Sequence, residues 1–179
     1  PKSHLTIKES FEHSSNVAMA KLAYTYYNRS PSKFISHYEN LHLTSRTGID
    51  LKEEFRPMVK DPKRKDWHMQ TLPSMGFGYE VMLSPLQVLM VYNAVANNGK
   101  LMKPYLVNSV EKDGNVLKEF EPQVLNEKIC SDKTLKELQE CLAAVCIDGT
   151  AKKSFKTAVY KAAGKTGTAK VNDGNFKYT

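Results

Sequence analysis

Ala162-Ala163-Gly164-Lys165-Thr166-Gly167-Thr168-Ala169-Lys170 is the segment that decides how this chain reads. Small residues crowd a lysine and two hydroxyls into one stretch, and the wider frame from Tyr160 to Val171 has an extended pattern. A strand with glycine near its centre lets another backbone approach closely. Strand alternation would place Thr166 and Thr168 on one face. A cation beside them can steady developing negative charge or lower a neighbour's pKa. Asn172-Asp173-Gly174-Asn175 follows as a hairpin turn signal, with Phe176 to Thr179 left for a return strand. Four small or polar residues recur by chance, so the meaning of Lys165-Thr166-Gly167-Thr168 rests on a partner elsewhere.

That partner stands near the other end. Thr6 and Glu9 form a Thr-x-x-Glu capping box that starts a helix through Phe11. Val17, Ala20, Ala23, Tyr24 and Tyr27 follow at helical spacing. Ser14-Ser15-Asn16 lies between, and such residues favour caps and turns over helix interiors. The pattern places Ser14 to Asn16 at a junction between two short helices.

Further along, Ser30-Pro31 opens a helix to about Asn40. Leu41 to Ser74 lacks sustained periodicity and reads as a long loop with short extended pieces, of a length that is usually functional or wraps another element. Ser84-x-x-Gln87, with Pro85 in its first turn, opens a helix to about Asn97. Leu86, Leu89, Met90, Asn93, Ala94 and Val95 are its expected buried face. Tyr105 to Val110, the turn Asp113-Gly114, and Val116 to Phe120 predict a β-hairpin. Ser131 caps a helix that turns Leu135, Leu138, Leu142 and Val145 inward and stops at Asp148-Gly149.

Composition narrows the class. The chain has 179 residues, 41% hydrophobic and 25% charged, with a net charge of +7. This is an ordinary globular composition with a basic surface that attracts anionic partners. The positive residues are scattered, and only Lys60 to Lys65 is locally dense. No apolar run reaches the roughly 18 residues needed to span a bilayer. Cys130, Cys141 and Cys146 are odd in number and lack Cys-x-x-Cys spacing, so they read as small core residues. The five histidines show no ligand spacing, so no metal is expected. Pro1 is not an initiator residue and the last element stops midway. The chain is therefore expected to be a piece of a longer protein, with residues 1–179 forming part of one domain and no second domain.

Ser-x-Asn on a helix junction and Lys-Thr-Gly on a strand are two of the three signatures of penicillin-binding proteins and serine β-lactamases. The flanking text agrees. Ser14-Ser15-Asn16-Val17-Ala18, with Lys21-Leu22-Ala23, resembles the family's middle motif and its helix. Thr47-Gly48-Ile49-Asp50-Leu51 with Glu54, Gly78-Tyr79 before Ser84-Pro85-Leu86-Gln87, Ala96-Asn97-Asn98-Gly99, and Gly149-Thr150-Ala151-Lys152 also match, in order. The sequence resembles the transpeptidase domain of a class B penicillin-binding protein, with a septal rather than elongation flavour in Gly78-Tyr79-Glu80.

The resemblance implies an α+β fold, a helical subdomain on an antiparallel sheet. This chain would carry most of the helical part, a hairpin and the Lys-Thr-Gly strand. It implies acyl transfer from a D-Ala-D-Ala stem peptide, and β-lactam binding at the same place. Ser14 would relay a proton, Asn16 would bind the substrate amide, and Lys165 would supply charge that orders Ser14. Thr166 and Thr168 would hold the substrate carboxylate, the Thr168 N–H would be half of the oxyanion hole, and Gly167 would keep the strand face clear. It further implies an N-terminal membrane anchor, an extracytoplasmic location and division-machinery partners, with no cofactor. An exposed strand edge at Tyr160 to Val171 would invite self-association.

The third signature, Ser-x-x-Lys, carries the nucleophile and precedes Ser-x-Asn in the family. Residues 1–13 contain none. Ser30-Pro31-Ser32-Lys33 and Ser109-Val110-Glu111-Lys112 lie on the wrong side of Ser14 and read as chance matches. The chain alone is therefore expected to be inactive. A β-lactamase or β-lactam sensor of the same fold and a catalytically dead scaffold are the nearer alternatives. A basic nucleic-acid-binding module around Trp67, Phe77 and Tyr79 is the remote one, since basic and aromatic residues do not interleave on one face.

Overall fold

A computed structural model describes residues 4–168, 170–171 and 177–178. The turn expected at Asn172 to Asn175 lies outside the described residues. Contacts divide the chain into two units, residues 1–18 with 137–179, and residues 19–136. Among the described residues, fifteen elements follow in chain order: α1 (Ile7–Glu12), α2 (Asn16–Tyr27), α3 (Pro31–Asn40), β1 (Met58–Val59), α4 (Thr71–Met75), β2 (Val81–Met82), α5 (Pro85–Ala96), β3 (Leu101–Met102), β4 (Ser109–Lys112), β5 (Asn115–Glu119), β6 (Val124–Asn126), α6 (Asp132–Ile147), α7 (Lys152–Phe155), β7 (Lys170–Val171) and β8 (Lys177–Tyr178).

In residues 19–136, the longest strands form the predicted hairpin. β4 and β5 pair antiparallel from Ser109↔Glu119 to Lys112↔Asn115. Asp113 and Gly114 both have positive φ (52° and 78°), as a tight primed turn requires. The ladder starts at Ser109, so Tyr105 to Asn108 lie outside it. The loop from Leu41 carries β1, paired with β2, and ends in α4. Within it the Glu54 carboxylate accepts from the Thr47 N–H (2.6 Å) and the Gly48 N–H (3.0 Å). Burial pushes this carboxyl's pKa up, but the hydrogen bonds from Thr47 and Gly48 outweigh it, leaving the group below its ordinary value.

Helix α5 shows the predicted capping box. Ser84 Oγ accepts from the Gln87 N–H (3.2 Å), and Gln87 Oε1 accepts from the Ser84 N–H (2.9 Å). Its buried face differs from the predicted one. Met90, Ala94 and Val95 are buried as expected, but Leu89 and Asn93 are exposed and Leu86 is half-buried, while polar Gln87 is 1% exposed. The reason is chemical. Gln87 closes the cap with Oε1 and spends its Nε2 donor on the Ser45 carbonyl at 3.0 Å, so it is fully satisfied when buried. Gln87→Leu is expected to leave the Ser84 N–H and the Ser45 carbonyl short of a partner and to cost about 2 kcal/mol. The urea-unfolding midpoint checks it, and an unchanged midpoint would count against this account. Met90 and Ala94 pack on Leu101, which has no exposed surface, with Leu125 and Ile129 around them.

In the other unit, α1 has the predicted capping box, with the Thr6 N–H donating to Glu9 Oε2 (2.8 Å) and the Glu9 N–H donating to Thr6 Oγ1 (3.2 Å). The C-terminal half of α6 supplies buried Leu142, Ala144, Val145 and Cys146. Val145, Cys146 and Ala151 form a cluster against Phe11, Phe155 and Ala162. Cys146 thus takes the core role read from sequence, and Cys130 and Cys141 are half-buried free thiols.

One element is shorter than expected. The Lys-Thr-Gly stretch is not a ladder strand: residues 161–168 lie in no strand, and pairing begins only with β7 against β8. A strand exists by virtue of a partner, and among the described residues this stretch has none. Thr166 and Thr168 are both exposed.

Candidate active site

The turn between α1 and α2 is built around two serines with separate tasks. His13 is the C-cap of α1, and its N–H donates to the Glu9 carbonyl (3.0 Å). The Ser14 N–H donates to the Phe11 carbonyl (3.1 Å) and the Ser15 N–H to the Ser10 carbonyl (2.8 Å). These two crossed bonds are a Schellman closure, which requires a left-handed residue at its centre. Ser14 occupies that place with φ 57°. Ser15 then caps α2, its hydroxyl accepting from the Ala18 N–H at 3.3 Å. The capping role that Ser14 could have played falls to Ser15, which leaves the Ser14 hydroxyl for another partner.

That partner is Lys165. Its Nζ donates to Ser14 Oγ across 151 residues of sequence, and also to the Thr166 carbonyl at 3.0 Å. The ammonium sits 5.9 Å from the centre of the Phe11 ring, within cation–π range. Burial holds the Lys165 amine below its ordinary pKa of 10.5. Thr166 Oγ1 lies 2.6 Å from Thr150 Oγ1, and the Gly164 N–H donates to the Leu142 carbonyl at 3.1 Å. Among the described residues, a side chain at Gly167 would meet nothing within 4 Å, so this backbone faces open space there.

The predicted residues are thus brought together unevenly. Ser14 and Lys165 touch, and Thr166 is held next to them. Asn16 opens α2 with an exposed side chain, and Thr168 is exposed beyond Gly167. His13 is an exposed helix cap near Glu12 (3.9 Å), in keeping with its reading as a surface histidine. Two residues with no role assigned from sequence belong to the site. Gly149 packs so closely that an added Cβ would lie 2.5 Å from the Glu12 carbonyl oxygen. Thr150 donates its N–H to that same oxygen (3.3 Å). The Gly149-Thr150 pairing was visible as a motif, but only its contacts reveal what it does.

Left-handed φ is a strain for serine and none for glycine. Ser14→Gly and Ser14→Ala both delete the hydroxyl, so their difference isolates the backbone. The glycine variant is expected to be more stable than the alanine one by about 1 kcal/mol, with both losing the Lys165 contact. Equal unfolding midpoints would remove strain from the description of this turn.

A family profile described as "Penicillin binding protein transpeptidase domain" matches residues 1–179. The chain is 32% identical over 143 residues to penicillin-binding protein H of Bacillus subtilis, covering 76% of this chain and 20% of that protein. It is 30% identical over 177 residues to the probable peptidoglycan D,D-transpeptidase FtsI of Caulobacter vibrioides, covering 96% and 27%. Penicillin-binding protein 2B from Streptococcus pneumoniae shares the fold, with a TM-score of 0.81 at 24% identity over 97% of this chain and 32% of that one. Penicillin-binding protein 3 from Mycobacterium tuberculosis, complexed with ampicillin, superposes with a TM-score of 0.79 at 27% identity, covering 97% and 39%. The chain spans about a fifth to two fifths of the length of these proteins.

Proposed function

The chain belongs to the penicillin-binding protein transpeptidase domain family, and from that premise we propose that it forms one wall of the active site of a serine-type peptidoglycan D,D-transpeptidase that also binds β-lactams. The carrying observation is the hydrogen bond from Lys165 Nζ to Ser14 Oγ, which joins the two signature motifs from opposite ends of the sequence. Acyl transfer needs a nucleophilic serine, supplied by a Ser-x-x-Lys motif outside residues 1–179. Its oxygen attacks the penultimate D-alanine carbonyl, the acyl-serine bond forms, the peptide bond breaks, and the terminal D-alanine leaves with a proton on its amine.

In that sequence the Ser14 hydroxyl, which both donates and accepts, passes the proton toward the leaving amine. Lys165 holds Ser14 in register and supplies positive charge. Burial holds its pKa below the ordinary lysine value. Asn16 hydrogen-bonds the substrate amide. Thr166 and Thr168 take the terminal carboxylate, and the Thr168 N–H contributes to the oxyanion hole. The open space over Gly167 gives an extended peptide room to lie alongside. The +7 charge suits an acidic cell-wall peptide.

The site of action is the cell wall, outside the cytoplasm. A membrane anchor and division-machinery partners complete the proposal. Among the described residues no helix is long and apolar enough to cross a membrane. Incubating the intact protein with ampicillin and weighing it by mass spectrometry is expected to show a covalent adduct of one ampicillin mass. Residues 1–179 alone are expected to show none. An adduct on the isolated chain, or none on the intact protein, contradicts the reading.

A further inference from the structure

Residues 161–168 pair with no strand among the described residues, so the Lys-Thr-Gly stretch is held by a few separate bonds. One end is fixed through Gly164 and Leu142, and Lys165 reaches to Ser14. Thr166 is fixed through its hydroxyl, 2.6 Å from the Thr150 hydroxyl. The two sides of that contact differ. Thr150 stands on firm ground: its N–H donates to Glu12 O, Gly149 before it is wedged between Glu12 and Val145, and Ala151 after it is buried in the core. Thr166 is exposed and free of any ladder.

A threonine hydroxyl has one proton to donate and lone pairs to accept. Without a ligand, either oxygen of the pair can be the donor. Once an anion accepts from Thr166, the Thr166 oxygen can only accept from Thr150, and the proton order becomes Thr150 to Thr166 to anion. In such a chain each bond polarises the next.

We propose that Thr150 is a positioning residue for carboxylate recognition: its hydroxyl donates to Thr166 and turns the Thr166 proton toward the anionic end of the peptide or β-lactam. This rests on the reading of Thr166 as a carboxylate ligand. The same residue ties the signature segment to Glu12, two residues before Ser14, so one side chain and its N–H hold both halves of the site to a common support.

The test measures second-order acylation rate constants of the intact protein with ampicillin and with its methyl ester, which lacks the negative charge. Thr150→Val keeps the shape and removes the hydroxyl. It is expected to lower the acid-to-ester rate ratio by about three- to tenfold with an unchanged melting temperature. Thr150→Ser is expected to restore the ratio to within about twofold. Thr166→Val is expected to lower it about tenfold or more, since it removes the bond to the charged group itself. If Thr166→Val leaves the ratio unchanged, the carboxylate reading fails and the proposal falls with it. If Thr166→Val lowers the ratio but Thr150→Val does not, the proposal alone is overturned. An equal loss on acid and ester also overturns it, because Thr150 then merely supports the fold. Thr150→Ala is read in the same way should the valine variant fold poorly.

Discussion

Lys165→Met in the intact protein is expected to slow acylation by ampicillin by about 10²- to 10⁴-fold. Methionine keeps an unbranched apolar stem against Phe11 and removes only the ammonium. The lost contacts are the bonds to Ser14 Oγ and the Thr166 carbonyl. Ser14 would keep its strained backbone, which the Schellman closure dictates, but its hydroxyl would turn freely. The pH dependence separates charge from shape. Burial depresses the Lys165 pKa, so the ammonium is lost below pH 10.5 rather than at it. A basic limb in the acylation profile should therefore fall below pH 10.5 in the natural protein and vanish in the methionine variant.

The stability effect has a definite sign too. The folded amine binds its proton less tightly than the unfolded one, so folding is opposed while Lys165 is protonated. That opposition fades as pH rises through the folded pKa toward 10.5. Lys165→Met should lack this alkaline gain. An acylation rate within about threefold of the natural one would remove Lys165 from the catalytic apparatus.

Gly149→Ala carries the largest expected effect on stability, about 3 kcal/mol. An alanine Cβ would lie 2.5 Å from Glu12 O and 2.8 Å from both Glu12 Cγ and Val145 Cα. Two of these three are backbone atoms and cannot swing aside. The end of α1 must move away from α6, breaking the Thr150 N–H to Glu12 O bond and displacing Ser14 from Lys165. Unfolding midpoint and acylation rate should fall together. Gly167→Ala is the contrast, because no described residue lies within 4 Å of its added Cβ. Its stability should stay within about 0.5 kcal/mol, while the new methyl obstructs the peptide's approach and lowers acylation. Should Gly149→Ala melt like the natural protein, the close packing of α6 on α1 is not what holds this turn.

Legibility followed the range of the interaction. Both capping boxes, the Asp113-Gly114 turn and the Ser131 cap were readable because each is completed within four or five residues. The phase of α5 was misread because burial of Gln87 depends on Ser45, 42 residues upstream. Leu89 looked like core by type, yet hydrophobic spacing cannot tell which side of a helix finds a partner. The Lys-Thr-Gly stretch looked like a strand because its composition permits one, and a ladder needs a second strand that local sequence does not announce.

For the site, sequence by itself determined the chemistry: a lysine, two threonines and a Ser-Ser-Asn junction of the right types, in an order that identifies a family. Residue type dictates donors, acceptors and charge, so it survives without coordinates. Tertiary structure decided the division of labour. It bound Ser14 to Lys165 and made Gly149 and Thr150 the support of both. These assignments rest on contacts between the two ends of the chain, more than a hundred residues apart, and only the packing of α1, α6 and the Lys165 segment can make them.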